Sequence, residues 1–167
     1  MTIVTSANQI SLPQLISHSI YYHIFDKLAS DGLDSTMVRV KESYPITGVV
    51  VNAPSIIIDE GDFADSPLEI GGVDIASIGY IIDIFGKSKT QRNTLAWLVR
   101  AYLNDERIPV KDYNEGFPPG ITNQTTLGHA EIMNVRMITP IILTEGEIPE
   151  EMRLLRQLVV DCQYMIS

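Results

Sequence analysis

Residues 80–104 constrain the fold more than any other stretch, because an apolar run, a short turn and an amphipathic helix follow one another there without a gap. Tyr80-Ile81-Ile82-Asp83-Ile84-Phe85 reads as a buried strand, and Gly86-Lys87-Ser88 as a turn leading directly into a helix. Ser88 and Gln91 have capping-box spacing, in which the serine oxygen accepts from an orphan backbone N–H while the glutamine side chain reaches back. Leu95, Leu98, Val99 and Tyr102 then recur at helical intervals and form one apolar stripe. Lys89, Arg100 and Arg107 fall on the far side, and Trp97 projects roughly 150 degrees from the centre of the stripe on a 3.6-residue period. The helix is expected to pack inward and to show a basic back.

A strand, a glycine turn and a helix N-terminus can cradle phosphate. Here a P-loop would need a glycine five residues before Gly86, where the chain has Ile81, and Asp83 lies inside the preceding strand. Nucleotide hydrolysis is not expected. At 167 residues the chain is large enough for one domain with its own core, and no linker divides it, so residues 1–167 are read as a single domain. Its 21 acids against 12 bases, a net charge of −9, oppose a protein that grips DNA, because Lys and Arg neutralising phosphates supply most of that affinity. Such a chain can pass near DNA without holding it. Cys162 is the only cysteine, which leaves neither a disulfide framework nor a thiolate metal cluster, and its place on an apolar strand face marks a small core residue. The start of the sequence lacks a basic region followed by an unbroken apolar one. Its first long apolar segment, 12–28, is interrupted by Ser17, His18, Ser19, His23, Asp26 and Lys27, so a soluble protein with no membrane partner is expected.

Ser11 and Gln14 repeat the capping-box spacing, Pro13 sits in the first turn, and Leu15, Ile16, Ile20, Ile24 and Leu28 follow as a helix that should end at Asp31-Gly32. Residues 36–41 alternate as an edge strand does, and the three isoleucines in 55–59 suggest a strand covered on both faces. Residues 59–74 carry Asp59, Glu60, Asp62, Asp65, Glu69 and Asp74 with no Lys or Arg, and read as a long acidic loop. Phe63 and Ile70 occupy places where an EF-hand loop needs oxygen ligands, so the loop is read as a solvated surface. Residues 111–130, with Gly116, Pro118, Pro119, Gly120 and Gly128, read as a binding or assembly loop that orders against a neighbour. A strand is expected over 132–143 with Met133, Val135 and Met137 on one face and Asn134 and Arg136 on the other, then an acidic turn over 144–151. The last strand alternates Leu158, Val160, Cys162, Tyr164 and Ile166 with Gln157, Asp161 and Gln163. The fold class is therefore α+β, a mainly antiparallel sheet backed by an N-terminal and a central helix, with long loops.

Catalysis by histidine needs a partner base, nucleophile or metal companion within reach. His18 and His23 are five residues apart and point in different directions, whereas a helical zinc pair prefers four, and His129 reads as a surface loop histidine. Ser43, Ser77 and Ser88 lack a nucleophile-elbow context. No catalytic, cofactor-binding or metal-ligating residue is assigned, and no enzyme activity or cofactor is expected.

The order of features resembles the tail terminator, or tail completion, proteins of long-tailed bacteriophages. The resemblance rests on the N-terminal helix, the proline-led run Pro54-Ser55-Ile56-Ile57-Ile58, and the strand-helix unit from Tyr80 through Gly86-Lys87-Ser88-Lys89-Thr90-Gln91-Arg92. The long strands after Glu131 and after Leu154 complete it. It implies a virion protein forming a ring, usually a hexamer, that caps the tail tube, stops its polymerisation and joins it to the head connector. The implied partners are other copies of the chain, a tail tube protein and a head-completion protein, with DNA passing through the channel. Related head-completion and neck adaptor proteins share parts of the pattern, and the 59–74 and 111–130 segments depart from smaller members. A small-molecule-binding domain or enzyme on the same frame is the rival from another class.

A ring needs a head-to-tail contact between two different faces. The sequence offers an acidic segment and a basic helix back, so Lys89, Trp97 and Arg100 with Glu69 and Asp74 are the candidate subunit interface. Trp97 is either an interface residue or one covered by a loop of its own subunit, and the sequence leaves both open. Asp62 and Asp65, near the middle of the acidic segment, are the candidates for a channel wall that repels phosphate. Asn114, Phe117, Pro118, Pro119 and Ile121 are the candidate partner loop.

Overall fold

A computed structural model describes residues 10–41, 54–60, 68–70, 73–104, 106–139 and 155–166. Helix α1 spans Leu12–Ser30 and begins as its sequence dictates: the Ser11 N–H donates to Gln14 Oε1 at 3.2 Å, and Pro13 occupies the first turn. It stops at Asp31, where Gly32 takes φ 77 and the Leu33 N–H turns back to the Leu28 carbonyl. Helix α2 spans Lys89–Leu103. Ser88 Oγ accepts from the Gln91 N–H at 3.2 Å, but Gln91 Oε1 takes the Lys87 N–H at 2.8 Å rather than the cap's own. The box is thus displaced by one residue. Asn104 leaves the helix in an extended conformation, so Arg107 sits on the following strand and not on the helix back.

The strands are β1 (Arg39–Lys41), β2 (Ser55–Glu60), β3 (Leu68–Ile70), β4 (Val73–Phe85), β5 (Arg107–Lys111), β6 (Thr126–Ile138) and β7 (Leu155–Ile166). Six of them lie in the order β1-β2-β4-β7-β6-β5, and β3 pairs with the first residues of β4. Every described pairing is antiparallel except β1 with β2. This is the α+β fold expected from the sequence, with β1 at an edge as read.

Ile56, Ile57 and Ile58 are all fully buried, and their alternation shows why. Ile56 and Ile58 join Tyr80, Ile82 and Ile84 in the core under the helices, while Ile57 packs with Phe85 and Leu155 on the other face. On β7, Leu158, Val160, Cys162 and Tyr164 point into the same core. Helix α1 packs against β5 and also against β2 and β1, strands from opposite ends of the order, so the sheet curls around it. Helix α2 covers β7, β6 and β4 beside it. The Tyr80 hydroxyl donates to the Pro13 carbonyl at 2.8 Å, and the Lys111 N–H to Ser19 Oγ at 3.2 Å, pinning α1 to strands on both sides of the curl.

Several readings of the second half need correction. Residues 111–130 are not one open loop: Lys111 ends β5, β6 begins at Thr126, and His129 is a strand residue. The remainder carries the 3-10 helix Tyr113–Glu115, with Tyr113 and Gln124 buried. Gln124 donates to the carbonyls of Gly116 and Ile121, and Glu115 accepts from both the N–H and the hydroxyl of Thr125, so the segment is held from within. On β6 the expected Met133 face fails because a bulge lies between Ile132 and Asn134. The extra residue, Met133, turns out to solvent at 55% exposure, and Ile132 shares the core side with Val135 and Met137. The acidic stretch 59–74 begins in β2 and ends in the β3–β4 hairpin rather than being loop throughout. Residues 140–154, including the expected acidic turn, lie outside the described residues.

Gly86 lets α2 start directly over the end of β4. A Cβ there would stand 2.6 Å from the Arg92 backbone nitrogen and 2.8 Å from its Cα. Gly86→Ala should therefore destabilise the fold by about 1–3 kcal/mol through overpacking, read as a lower urea midpoint. A midpoint equal to wild type would show that the helix start can move away.

Candidate functional site

The outer surface of α2 is built from residues that leave the core by helical periodicity. Trp97 stands 59% exposed, so none of the described residues covers it. Its neighbours one and two turns away are Thr90, Asn93, Thr94, Arg100, Ala101 and Asn104, mostly small and without an acid, so the indole stands proud. The Arg100 guanidinium carbon lies 5.1 Å from the centre of the Trp97 ring, a cation–π contact that in such exposed settings contributes about 0.5–1 kcal/mol. Lys89 is exposed in the first turn, and no acid occurs from Gly86 through Asn104. Lys87 and Lys89 sit at the positive end of the helix dipole, where bases are unfavourable.

Beside this surface a groove of about 550 Å³ opens between α2 and the segment after α1. Leu33, Met37, Val38, Pro54, Leu95 and Leu98 line it, with Lys87 and Gln91 at its polar side. Met37 is itself 51% exposed.

A second surface escaped the sequence reading. Along the half-buried side of α1 next to its isoleucine stripe, Phe25 stacks with Tyr21 at 6.2 Å, and Tyr21 meets Tyr22 edge-on at 4.9 Å. Tyr22 stacks on Tyr113 at 5.4 Å, and Tyr113 on Phe117 at 5.3 Å. His18 presents its ring edge-on to both of these. His23 instead bonds the Tyr102 carbonyl at 3.0 Å, so the two histidines do point apart. The signal available in the sequence was Tyr21-Tyr22 with Phe25 one turn on, opposite the isoleucine stripe.

The candidate loop residues belong to this second surface. Phe117 and Ile121 are 42% and 41% exposed, Pro118-Pro119 is a cis peptide, and Asn114 Oδ1 accepts the Ile10 N–H at 2.8 Å. Glu69 and Asp74 lie opposite each other in the register of the β3–β4 hairpin. Asp62 and Asp65 lie outside the described residues. Burial and the neighbouring Asp161 push the Cys162 thiol up to about 12, which keeps it a protonated core group at neutral pH. Among the described residues no group of His, Cys, Asp and Glu is placed to hold a metal, and no helix is long and apolar enough to cross a membrane.

No family model and no curated protein matches the sequence. Among solved structures, the chain is similar to one in the virion of a native gene transfer agent particle, with TM-score 0.48 and 10% identity over 98% of each chain. It is also similar to the gp17 protein of bacteriophage SPP1, with TM-score 0.35 and 16% identity over 92% of each chain.

One buried acid stands apart from both surfaces. Asp83, on the sheet face that carries Ile57 and Phe85, is 3% exposed, and its Oδ1 has no hydrogen-bond partner. Burial raises its pKa, and a hydrogen bond from Gln157 across the strand pair offsets this only in part. The folded chain therefore keeps a proton that the unfolded chain has released, so this group's contribution is fullest below the ordinary carboxylate pKa. It is lost as pH rises through the raised value. Asp83→Asn should accordingly be more stable than wild type at pH 7, with the gap closing toward pH 4 in urea titrations. Parallel pH curves for the two proteins would rule out a raised pKa at Asp83.

Proposed function

We propose that this chain is a structural subunit of a phage-type tail or neck, a single-domain virion protein that assembles into a ring of the hexameric kind formed by tail terminators. In that role it caps the tail tube, stops tube polymerisation and presents its other face to a head-completion or connector protein. The reading is supported by the match between the family's order of features and the helix–strand order of this fold. The observation that carries it is Trp97, an exposed indole under an arginine on an acid-free helix face. An aromatic side chain so placed loses little conformational entropy on docking and gains large apolar burial, which is why Trp and Arg dominate interface energetics. Two distinct faces, the α2 back and the surface around α1, supply what a head-to-tail contact needs. Glu69 and Asp74 are proposed to pair with a neighbour's Lys89 or Arg100. Asp62 and Asp65 are proposed to line the channel, where an acidic wall lets DNA pass without holding it.

Mass in solution and negative-stain images test the assembly directly. Wild type should form rings, and Trp97→Ala or Arg100→Glu should weaken assembly by about tenfold or more while shifting stability by no more than about 0.5 kcal/mol. A chain that stays monomeric at all concentrations, alone and on tail tubes, ends the proposal. Charge reversal at Asp62 and Asp65 should leave assembly intact but raise DNA retention at low salt. Unchanged retention would remove those two residues from the channel.

A further inference from the structure

Helix α1 carries apolar residues beyond its buried isoleucine stripe, and two of them, Tyr21 and Tyr22, pack against the core only in part. Ile16, Ile20 and Ile24 are fully buried inside the curled sheet. The opposite face, centred roughly 150 degrees away on the 3.6-residue wheel, consists of Gln14, His18, Tyr21, Tyr22, Phe25 and Ala29. It carries no charged residue over four turns and is partly open to solvent, whereas a helix side turned to water normally carries charges. The buried Tyr113 links this row of rings to the exposed Phe117 on the neighbouring loop.

We propose that this aromatic face of α1, together with Phe117 and Ile121, is the seat for the Trp97 and Arg100 face of α2 from a second copy of the chain. The proposal rests on the ring-forming reading above and names the two surfaces that meet. Charge favours this occupant. The carboxylates beside the rings in sequence are Asp26, Asp112 and Glu115, and the two bases next to them are already engaged, Lys27 with Glu106 at 3.3 Å and Lys111 with Thr126 Oγ1 at 2.7 Å. Hydrogen bonds from Thr125 hold the Glu115 carboxyl below its ordinary pKa, so it stays charged. The α2 face brings bases and no acid. Ring chemistry favours it too, because guanidinium groups seek the faces of aromatic rings and Arg100 already lies over one. The α1 face from residue 14 to 29 is about 22 Å long at 1.5 Å per residue, a scale suited to a standard interface of about 800 Å² per partner. Donor and acceptor lie on different helices of each subunit, so the contact is heterologous and passes from copy to copy. Arg100 is thereby assigned to the rings, which leaves Lys89, eleven residues before it, for Glu69 and Asp74.

The test replaces Trp97 with benzoylphenylalanine, which keeps an aromatic group in place, and irradiates the assembled protein. Intermolecular adducts should map by mass spectrometry to residues 14–29 and 113–121 of a second copy. In parallel, Phe25→Ser should raise the concentration needed for assembly by tenfold or more with an unchanged unfolding midpoint. Adducts elsewhere on a second copy, or normal assembly by a folded Phe25→Ser variant, would overturn the proposed seat while leaving ring formation intact. A monomeric wild-type protein with no intermolecular adduct would overturn both.

Discussion

The enclosure of α1 by the curled sheet sets the position of everything else. Each isoleucine buried from water contributes about 1.5–3 kcal/mol, and Ile16, Ile20 and Ile24 reach full burial only because strands near both ends of the sheet touch the same helix. Hydrogen bonds from Tyr80 and Lys111 then fix how the helix lies within the curl. The two helices are tied to each other in turn: His23 bonds the Tyr102 carbonyl, and the Tyr102 hydroxyl bonds the Asp31 carboxylate. With the inner faces fixed this way, the rotation of each helix about its axis is no longer free. The half-buried rings of α1 and the exposed indole of α2 are held in place by the same contacts that close the core.

What was legible in the sequence was local. Both helix starts, the glycine stop after α1, the isoleucine strand and the period-two pattern of β7 are set by residues within a few positions of one another. The failures all involve information from elsewhere in the chain. One extra residue at Met133 reverses which side chains of β6 face inward, and alternation alone does not announce a bulge. Glycine and proline rightly marked residues 112–125 as irregular, but not as open, because Gln124 and Glu115 close that segment with side-chain hydrogen bonds. The basic back of α2 was read one turn too long, since nothing before Asn104 signals the exit that moves Arg107 onto β5. The aromatic face of α1 was masked by a stronger pattern on the same helix. A missing charge is a quieter signal than a present isoleucine.

Charge is distributed in a way that separates two tasks. Acids outnumber bases 21 to 12 overall, yet α2 and its turn carry four bases and no acid. Two of those bases, Lys87 and Lys89, stand at the helix end where each is unfavourable by about 0.3–1 kcal/mol. A surface that retains such a cost inside the subunit gains when an acidic surface approaches it, and the remainder of this chain is acidic. The same excess of acid opposes attachment to a polyanion, so the proposed contact between copies and the proposed channel wall draw on one composition.

Salt decides how such a contact has to be built. Ion pairs exposed at a rim weaken over a Debye length of about 8–10 Å at ordinary ionic strength, whereas ring stacking and apolar burial are not screened. A ring held by rim pairs alone would loosen with every change in the ionic surroundings. In the proposed contact the arginine lies among aromatic rings, where exclusion of water strengthens its attraction, and the carboxylates around them steer the approach. Burial then supplies most of the affinity and charge most of the orientation. The proposed division fits the arrangement on α2, whose exposed tryptophan and half-exposed arginine lie one helical turn apart and already in contact.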